Sequence, residues 1–228
     1  ARIQEHAAGT LRNLASGGEE VKARIASTAA PEMLVTLTQY VAATTMGASA
    51  RHEAVAALAS LTDGSEERKA RIACAGAIRP LLALLSINSP ASADTQEQAA
   101  RILRNLASGS KKRAHSIASA GAIKLLLPLT RSGVSVGMQE SATRILMEVS
   151  AVDTWLKHDL ESAGAIDVLL PLLKPSRGAS AATQEHAAGV LRNLAVGSKD
   201  SIVKMLSANA IEVLVLLLKP GAGASAGT

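Results

Sequence analysis

Five histidines and one cysteine are the side chains of this 228-residue chain that could move a proton or attack an electrophile near neutral pH. Their contexts argue against both roles. His6 and His186 stand in the same phrase, QEHAAG, which marks them as copies of a consensus and not as general bases. His52, His115 and His158 show no partnered arrangement of the Ser, His and Asp kind. Cys74 occupies a site that is Ser27, Ser119, Ser162 and Ser207 in matching segments, so a small packing residue is expected there and not a nucleophile. The phrase GAGASAG, close to the end, lacks the Lys and the preceding strand that a phosphate loop needs. Trp155 is expected to pack locally. The chain therefore reads as a non-enzyme that calls for no metal or other cofactor.

Composition says what kind of elements must carry such residues. Apolar side chains make up 48% of the chain, enough for a continuous core, yet there is no Phe, one Trp and one Tyr, Tyr40. That core must be built from Leu, Ile, Val and Ala, which suit helices packed in layers. A single Cys excludes an intramolecular disulfide and fits a reducing compartment, so an intracellular protein, cytoplasmic or nuclear, is expected. The longest apolar stretches, such as 211–218, fall well short of the roughly 20 residues that cross a bilayer, and no secretion leader is visible. A net charge of +5 and a pI near 9.6 make nucleic acid a rival class of partner. Single-strand binders interleave basic residues with stacking aromatics, however, and this chain has almost none, which disfavours nucleic acid.

Internal repetition is the dominant feature. The phrase LRNLASG at Leu11 returns as LASLTDG at Leu58, LRNLASG at Leu103, LMEVSAV at Leu146 and LRNLAVG at Leu191, in steps of 47, 45, 43 and 45 residues. A second phrase, AGAI or ANAI, runs from Ala75, Ala120, Ala163 and Ala208, in steps of 45, 43 and 45. Two landmarks that drift together by the same amounts establish a repeat.

Each unit reads as three helices. In QEHAAGTLRNLAS, from Gln4, Ala7, Leu11 and Leu14 form one stripe at helical spacing, as do Ala99, Leu103 and Leu106. Long helices are expected near 1–16, 49–62, 93–107, 137–150 and 182–196. Gly17, Gly64, Gly109 and Gly197 stand where a helix end favours positive φ, while the fourth unit departs with Val152. A short charged helix follows, EERKARIAC from Glu66, then a second turn at Ala29, Gly76, Gly121, Gly164 and Asn209. The next helix, AIRPLLALL from Ala77, is nearly all apolar and must be the buried layer. Pro80 fits its first turn, whereas Pro128 and Pro171 lie deeper and predict a kink or a later start. Thr95 and Thr183 are expected N-caps of long helices, Thr95 forming a capping box with Gln98. Thr228 lies 45 residues beyond Thr183, so another long helix is expected to begin there, and the whole of 1–228 reads as one array cut from a longer one, with further repeats of its own chain at both ends.

The order of charged short helix, glycine turn, apolar helix with LLxLL, and then QExAAxxLRNLAxG resembles the armadillo repeat of catenins, importin-α adaptors and plant U-box ligases. The resemblance covers essentially the whole chain. It implies an all-α fold, a right-handed α-α superhelix of about five repeats of three helices, whose third helices line a concave groove where an Asn near each helix end grips the backbone of an extended peptide. The matching positions are Asn13, Ser60, Asn105, Glu148 and Asn193. A primary amide carries a donor and an acceptor, so it can pair with peptide N–H and C=O whatever the peptide's side chains. One turn earlier, where importin-type repeats carry Trp, this chain has Gly9, Ala56, Arg101, Arg144 and Gly189, which argues against an import adaptor. The long helices instead present Arg12, Arg101, Arg104, Arg144 and Arg192, and a positive groove favours acidic or phosphorylated peptides. The function implied is a protein-interaction scaffold. The substrate-recruiting region of a ubiquitin ligase, a structural part of a large assembly, and a nucleic-acid-binding solenoid are the other readings.

Overall fold

A computed structural model of the chain describes residues 2–39, 45–131 and 133–218. The described residues form fifteen α-helices and no strand. Five are long: α1 (Arg2–Ala15), α4 (Thr45–Thr62), α7 (Ala93–Ala107), α10 (Val136–Ser150) and α13 (Ala181–Gly197). Each is followed by a short, largely polar helix: α2 (Glu19–Ser27), α5 (Glu66–Cys74), α8 (Lys111–Ser119), α11 (Thr154–Ser162) and α14 (Lys199–Ser207). An apolar helix then completes the period: α3 (Ala30–Thr38), α6 (Ile78–Leu84), α9 (Ala122–Leu129), α12 (Ala165–Leu169) and α15 (Ala210–Leu217). The three-helix period read from the sequence is therefore present, with α4 starting four residues earlier than expected. No described helix is long and apolar enough to cross a membrane.

The helices gather into two compact units, Ala1–Arg113 and Ala114–Thr228, with the division inside α8. In the first unit α4 packs on α1, α3 and α7, and α6 packs on α7. Its centre is Leu58, Leu61, Leu81, Leu103 and Leu106, all essentially sealed from water. In the second unit α10 packs on α9 and α13, around Leu126, Ile145, Leu146, Leu169 and Leu194. Each such leucine contributes roughly 1.5–3 kcal/mol by leaving water. Alanines at Ala54, Ala99, Ala142 and Ala187 are buried as well, and their small side chains let neighbouring helices approach.

Several local expectations are corrected. The long helices are capped not by Thr95 and Thr183 but one turn earlier, by Ser92 and Ser180, whose Oγ atoms accept from the backbone N–H of Thr95 and Thr183 at 3.3 and 3.1 Å. The threonines are instead buried one turn inside, each hydroxyl bonded to its capping serine. Positive φ occurs at Gly64 and Gly109 as expected, but at Gly18 in place of Gly17. Gly197 stays helical, because Ser198 turns the chain in extended conformation and caps α14 through its own hydroxyl. Pro171 causes neither the kink nor the later start expected: α12 begins directly after Gly164, stops early at Leu169 and gives way to a 3₁₀ turn, Leu170–Leu173. Pro128 is accommodated in the last turn of α9. The expected helix start at Thr228, and GAGASAG, lie outside the described residues.

Candidate binding face of the long helices

Positions i, i+3 and i+7 share one stripe of a helix with 3.6 residues per turn. In the first unit that stripe carries His6, Gly9 and Asn13 on α1, Glu53, Ala56 and Ser60 on α4, and Gln98, Arg101 and Asn105 on α7. In the second it carries Ser141, Arg144 and Glu148 on α10, and His186, Gly189 and Asn193 on α13. Arg12, Arg104 and Arg192 each precede the stripe's asparagine by one residue. Within each unit the expected site residues thus fall on or beside a common register.

The asparagines are engaged from one side only. Asn105 Nδ2 donates to Asp63 Oδ1 at 2.8 Å and to Thr62 Oγ1 at 3.3 Å, both at the end of α4. A carboxylate can only accept, so the amide nitrogen must face it and Oδ1 is turned away. Asn193 Nδ2 donates to Ser150 Oγ at 2.9 Å, and Ser150 in turn donates to Met147 O. Neither asparagine Oδ1 has a partner among the described residues. Asn13, on α1, is exposed. Ser60 bonds back to Ala56 O inside its own helix, and Glu148 accepts from Arg144 Nε at 3.0 Å, so these two have other occupations.

Charge on the face is less one-sided than the arginines alone suggest. Arg12 pairs with Glu53 at 3.0 Å and Arg144 with Glu148 at 3.0 Å. Arg101, Arg104 and Arg192 have no ion pair among the described residues. Arg101 Nε and Gln98 Oε1 are buried atoms with no hydrogen-bond partner. They sit one turn apart on α7, a donor and an acceptor in line with Asn105. Sequence reasoning missed Gln98 and Glu53, although their helical spacing from Arg101 and Ser60 was the signal that could have found them.

At the two glycine positions of the stripe, a side chain would press on a neighbouring one. A Cβ at Gly189 would lie 2.7 Å from Met147 Sδ, and one at Gly9 would lie 3.2 Å from Glu53 Oε2. A tryptophan at either position requires its neighbour to move.

The helix ends that hold this face are locked from behind. Arg68, buried in α5, donates from Nε to Leu61 O at 3.0 Å and from Nη2 to Asp63 O, satisfying carbonyls that the end of α4 leaves open. Arg113 does the same for α7 through Leu106 O and Ser108 O. Each guanidinium also reaches a glutamate at the start of the preceding short helix, Arg68 to Glu19 at 2.8 Å and Arg113 to Glu66. Hydrogen bonds from Lys22 and then Arg68 hold the Glu19 carboxyl below the ordinary range, and those from Lys69 and then Arg113 do so for Glu66. In the second unit, Leu156 and Ser201 replace the arginine. There Ser201 and Lys204 bond to buried Glu161 at 3.0 and 3.1 Å. Burial alone would raise the Glu161 carboxyl, but the bonds from Lys204 and Ser201 outweigh it and the net shift is downward.

Away from the face, three expectations change. Cys74 is exposed at the end of α5, and so is the serine at each equivalent position, so it is a surface residue and not a packing one. Trp155 is 77% exposed on α11, beside an open pocket shared with Thr154 and His158. The equivalent residues Glu20, Glu67, Lys112 and Asp200 are all charged, so this position faces solvent in each repeat and tryptophan is the exception. His52 and His115 do have acidic neighbours, Asp94 at 3.6 Å and Asp153 at 3.5 Å, and His52 Nδ1 lies 3.1 Å from Thr95 Oγ1. These contacts tie consecutive repeats together.

The profile of the armadillo/beta-catenin-like repeat matches residues 65–108. No curated protein sequence matches the chain significantly. Among solved structures, an engineered protein from a structural genomics consortium is 30% identical, with a TM-score of 0.79 over 96% of this chain and 83% of that one. A computationally designed armadillo repeat protein for modular peptide recognition is 27% identical, with a TM-score of 0.80 over 93% and 84%. A designed armadillo repeat protein in complex with the peptide (KR)4 is 26% identical, with a TM-score of 0.76 over 94% and 85%.

Proposed function

We propose that this chain, which belongs to the armadillo-repeat family, is a protein-interaction scaffold that holds an extended peptide against the Asn-bearing stripes of its long helices. The observation that carries this reading is on α7. Arg101 Nε offers an unused donor, and Gln98 Oε1 and Asn105 Oδ1 offer unused acceptors, along one stripe. Peptide backbone presents the complementary C=O and N–H groups, and Arg101 Nε and Gln98 Oε1, buried without a partner, call for one. Asn193 Oδ1 offers the same acceptor on α13. Asn13, Ser60, Arg144 and Glu148 take lesser parts, since the last three already bond within their own helices.

The designed relative that binds (KR)4 supports peptide capture as something this architecture does, and its ligand is basic. In this chain Arg101, Arg104 and Arg192 carry the charge left unpaired on or beside the stripes, so the preferred peptide is acidic or phosphorylated. An exposed free thiol at Cys74 favours a reducing, intracellular setting.

Fluorescence anisotropy tests the reading with three labelled probes, an acidic peptide library with and without phosphoserine, the (KR)4 peptide, and a random oligonucleotide, each over a salt series. The acidic library is expected to bind tightest. Replacing Asn105 and Asn193 together by Ala is expected to weaken peptide binding, each lost rung contributing about 1 kcal/mol, roughly fivefold. Unchanged affinity in the double variant, with the helical signal intact, refutes the role of the asparagines.

A further inference from the structure

In the fourth repeat the chain leaves α12 at Leu169 and continues through the 3₁₀ turn Leu170–Leu173 into a second one, Pro175–Arg177. Val168, Pro171 and Leu172 keep the i, i+3, i+4 spacing of one helical face through that change. Beside them opens a cavity of about 410 Å³. These three apolar side chains, buried or half-buried, are its floor, and the exposed Arg131, Asp167 and Arg177 are its rim. The cavity lies wholly within the second unit, and none of its lining residues belongs to a long helix, so it is separate from the Asn-bearing stripes.

Both arginines are pinned at their backbones. Arg131 O accepts from Nε2 of the buried Gln139 at 2.7 Å, and Arg131 N donates to Pro128 O at 3.3 Å. Arg177 N donates to Lys174 O at 3.0 Å, and Gly178, with a φ of 67°, turns the chain directly after it. Neither guanidinium has a hydrogen bond or ion pair among the described residues, and neither has the Asp167 carboxylate.

We infer that this cavity binds an apolar monocarboxylate, its carboxylate held by Arg131 and Arg177 and its apolar body resting on Val168, Pro171 and Leu172. A guanidinium presents paired N–H donors that match the two oxygens of a carboxylate. The lining carries two cations and one anion, a net charge of +1, which a monoanion neutralises. A phosphate dianion would instead bring a surplus negative charge to the rim that holds Asp167. Ionised Asp167 can only accept hydrogen bonds, so it favours a ligand with an N–H or O–H donor beside its carboxylate. An N-acylated apolar amino acid has all three parts, and so has the last residue of a peptide that ends on an apolar side chain. The size agrees, since 410 Å³ stands at the small end of the roughly 300–1,000 Å³ typical of ligand cavities.

Amide NMR titrations of the full chain test the inference with N-acetyl-leucine, its amide, N-acetylglycine, an acetylated tetrapeptide ending in leucine, and inorganic phosphate. N-acetyl-leucine is expected to give saturable shifts at the backbone amides of Arg131, Asp167, Val168, Leu172 and Arg177. It is expected to bind at least about tenfold more tightly than its amide, as charge-assisted hydrogen bonds give, and more tightly than N-acetylglycine or phosphate. Saturation by the tetrapeptide as well, or by the tetrapeptide alone, keeps the carboxylate chemistry and assigns the source to chain ends. Arg131→Gln and Arg177→Gln are each expected to weaken binding about tenfold, with Arg131→Lys and Arg177→Lys recovering part of the loss. Asp167→Asn is expected to raise phosphate affinity toward that of N-acetyl-leucine. The double variant Asn105→Ala with Asn193→Ala is expected to bind N-acetyl-leucine unchanged, so this site and the peptide-binding face fail or succeed separately. The inference is overturned if neither carboxylate probe gives saturable shifts at these residues, if acid and amide bind alike, or if both glutamine variants keep full affinity with an intact helical signal.

Discussion

Asn193 donates its amide N–H to Ser150 Oγ across 2.9 Å, so the residue expected to grip a ligand is also a brace to the preceding long helix. The two roles use different atoms of one side chain and can be separated. Asn193→Asp keeps an oxygen where Oδ1 points, and Ser150 can turn its hydroxyl to donate to the carboxylate. Asn193→Ala removes both brace and acceptor. Read with a neutral peptide, so that the charge of the new carboxylate does not repel the ligand, affinity by anisotropy is expected to be retained within about threefold in the Asp variant and lowered about fivefold in the Ala variant, one hydrogen bond's worth. Equal loss in both variants would show that the brace, not the acceptor, matters to binding.

Arg68 caps the end of α4 through Leu61 O and Asp63 O while pairing with Glu19. The fourth repeat shows what a substitute looks like, since Leu156 occupies the equivalent site. Arg68→Leu is expected to lower the free energy of unfolding by about 1–3 kcal/mol, because the carbonyls at that helix end lose a charged donor. Urea unfolding followed by circular dichroism checks this. An unchanged midpoint would mean that water replaces the guanidinium without loss.

Glu161 gives the second unit a dependence on acid. Its carboxyl is shifted downward in the folded chain, so it binds a proton less readily there than in the unfolded chain. The stability this confers is complete above the unfolded value of about 4.3 and disappears as pH falls through the lower folded value. Thermal midpoints measured from pH 7 to pH 3 are expected to fall across that window, and Glu161→Gln is expected to be less stable at pH 7 with a shallower acid limb. Parallel limbs in the two proteins would assign the acid dependence elsewhere, Glu19 and Glu66 being the next groups to test.

Trp155 is the only tryptophan, and it stands in solvent. Its fluorescence in the native chain is expected to be quenched by iodide nearly as efficiently as that of the unfolded chain. Trp155→Ala is expected to change stability by no more than about 0.5 kcal/mol, the range for a surface residue without special contacts. A blue-shifted, protected emission would place another surface over the ring.

The helices were legible in the sequence because they rest on short-range physics. The helical spacing of Leu103 and Leu106 and the left-handed demand at Gly121 are decided within a few residues. The capping serines were displaced by one turn because Ser92 and Thr95 both carry a capping hydroxyl, and only the burial of Thr95 decides between them. Exposure of Trp155 was hidden for a related reason, since an aromatic side chain reads as core until the charged residues at equivalent positions are considered together. On the candidate face, the asparagines and arginines could be found by period. The pairing of Arg12 with Glu53 could not, because it joins residues from successive long helices, and helical period within one helix says nothing of the contact.

The locks formed by Glu19 with Arg68 and by Glu66 with Arg113 make the repeats unequal as modules. Excision of residues 66–110 would carry Arg113 into the place of Arg68, opposite Glu19, and leave a shortened array with its junction chemistry whole. Excision of 111–153 would set the aliphatic side chain of Leu156 against the Glu66 carboxylate. Loss or duplication of units in a gene encoding such a chain is thus tolerated at some seams and resisted at others, and the difference is set by one glutamate and one guanidinium.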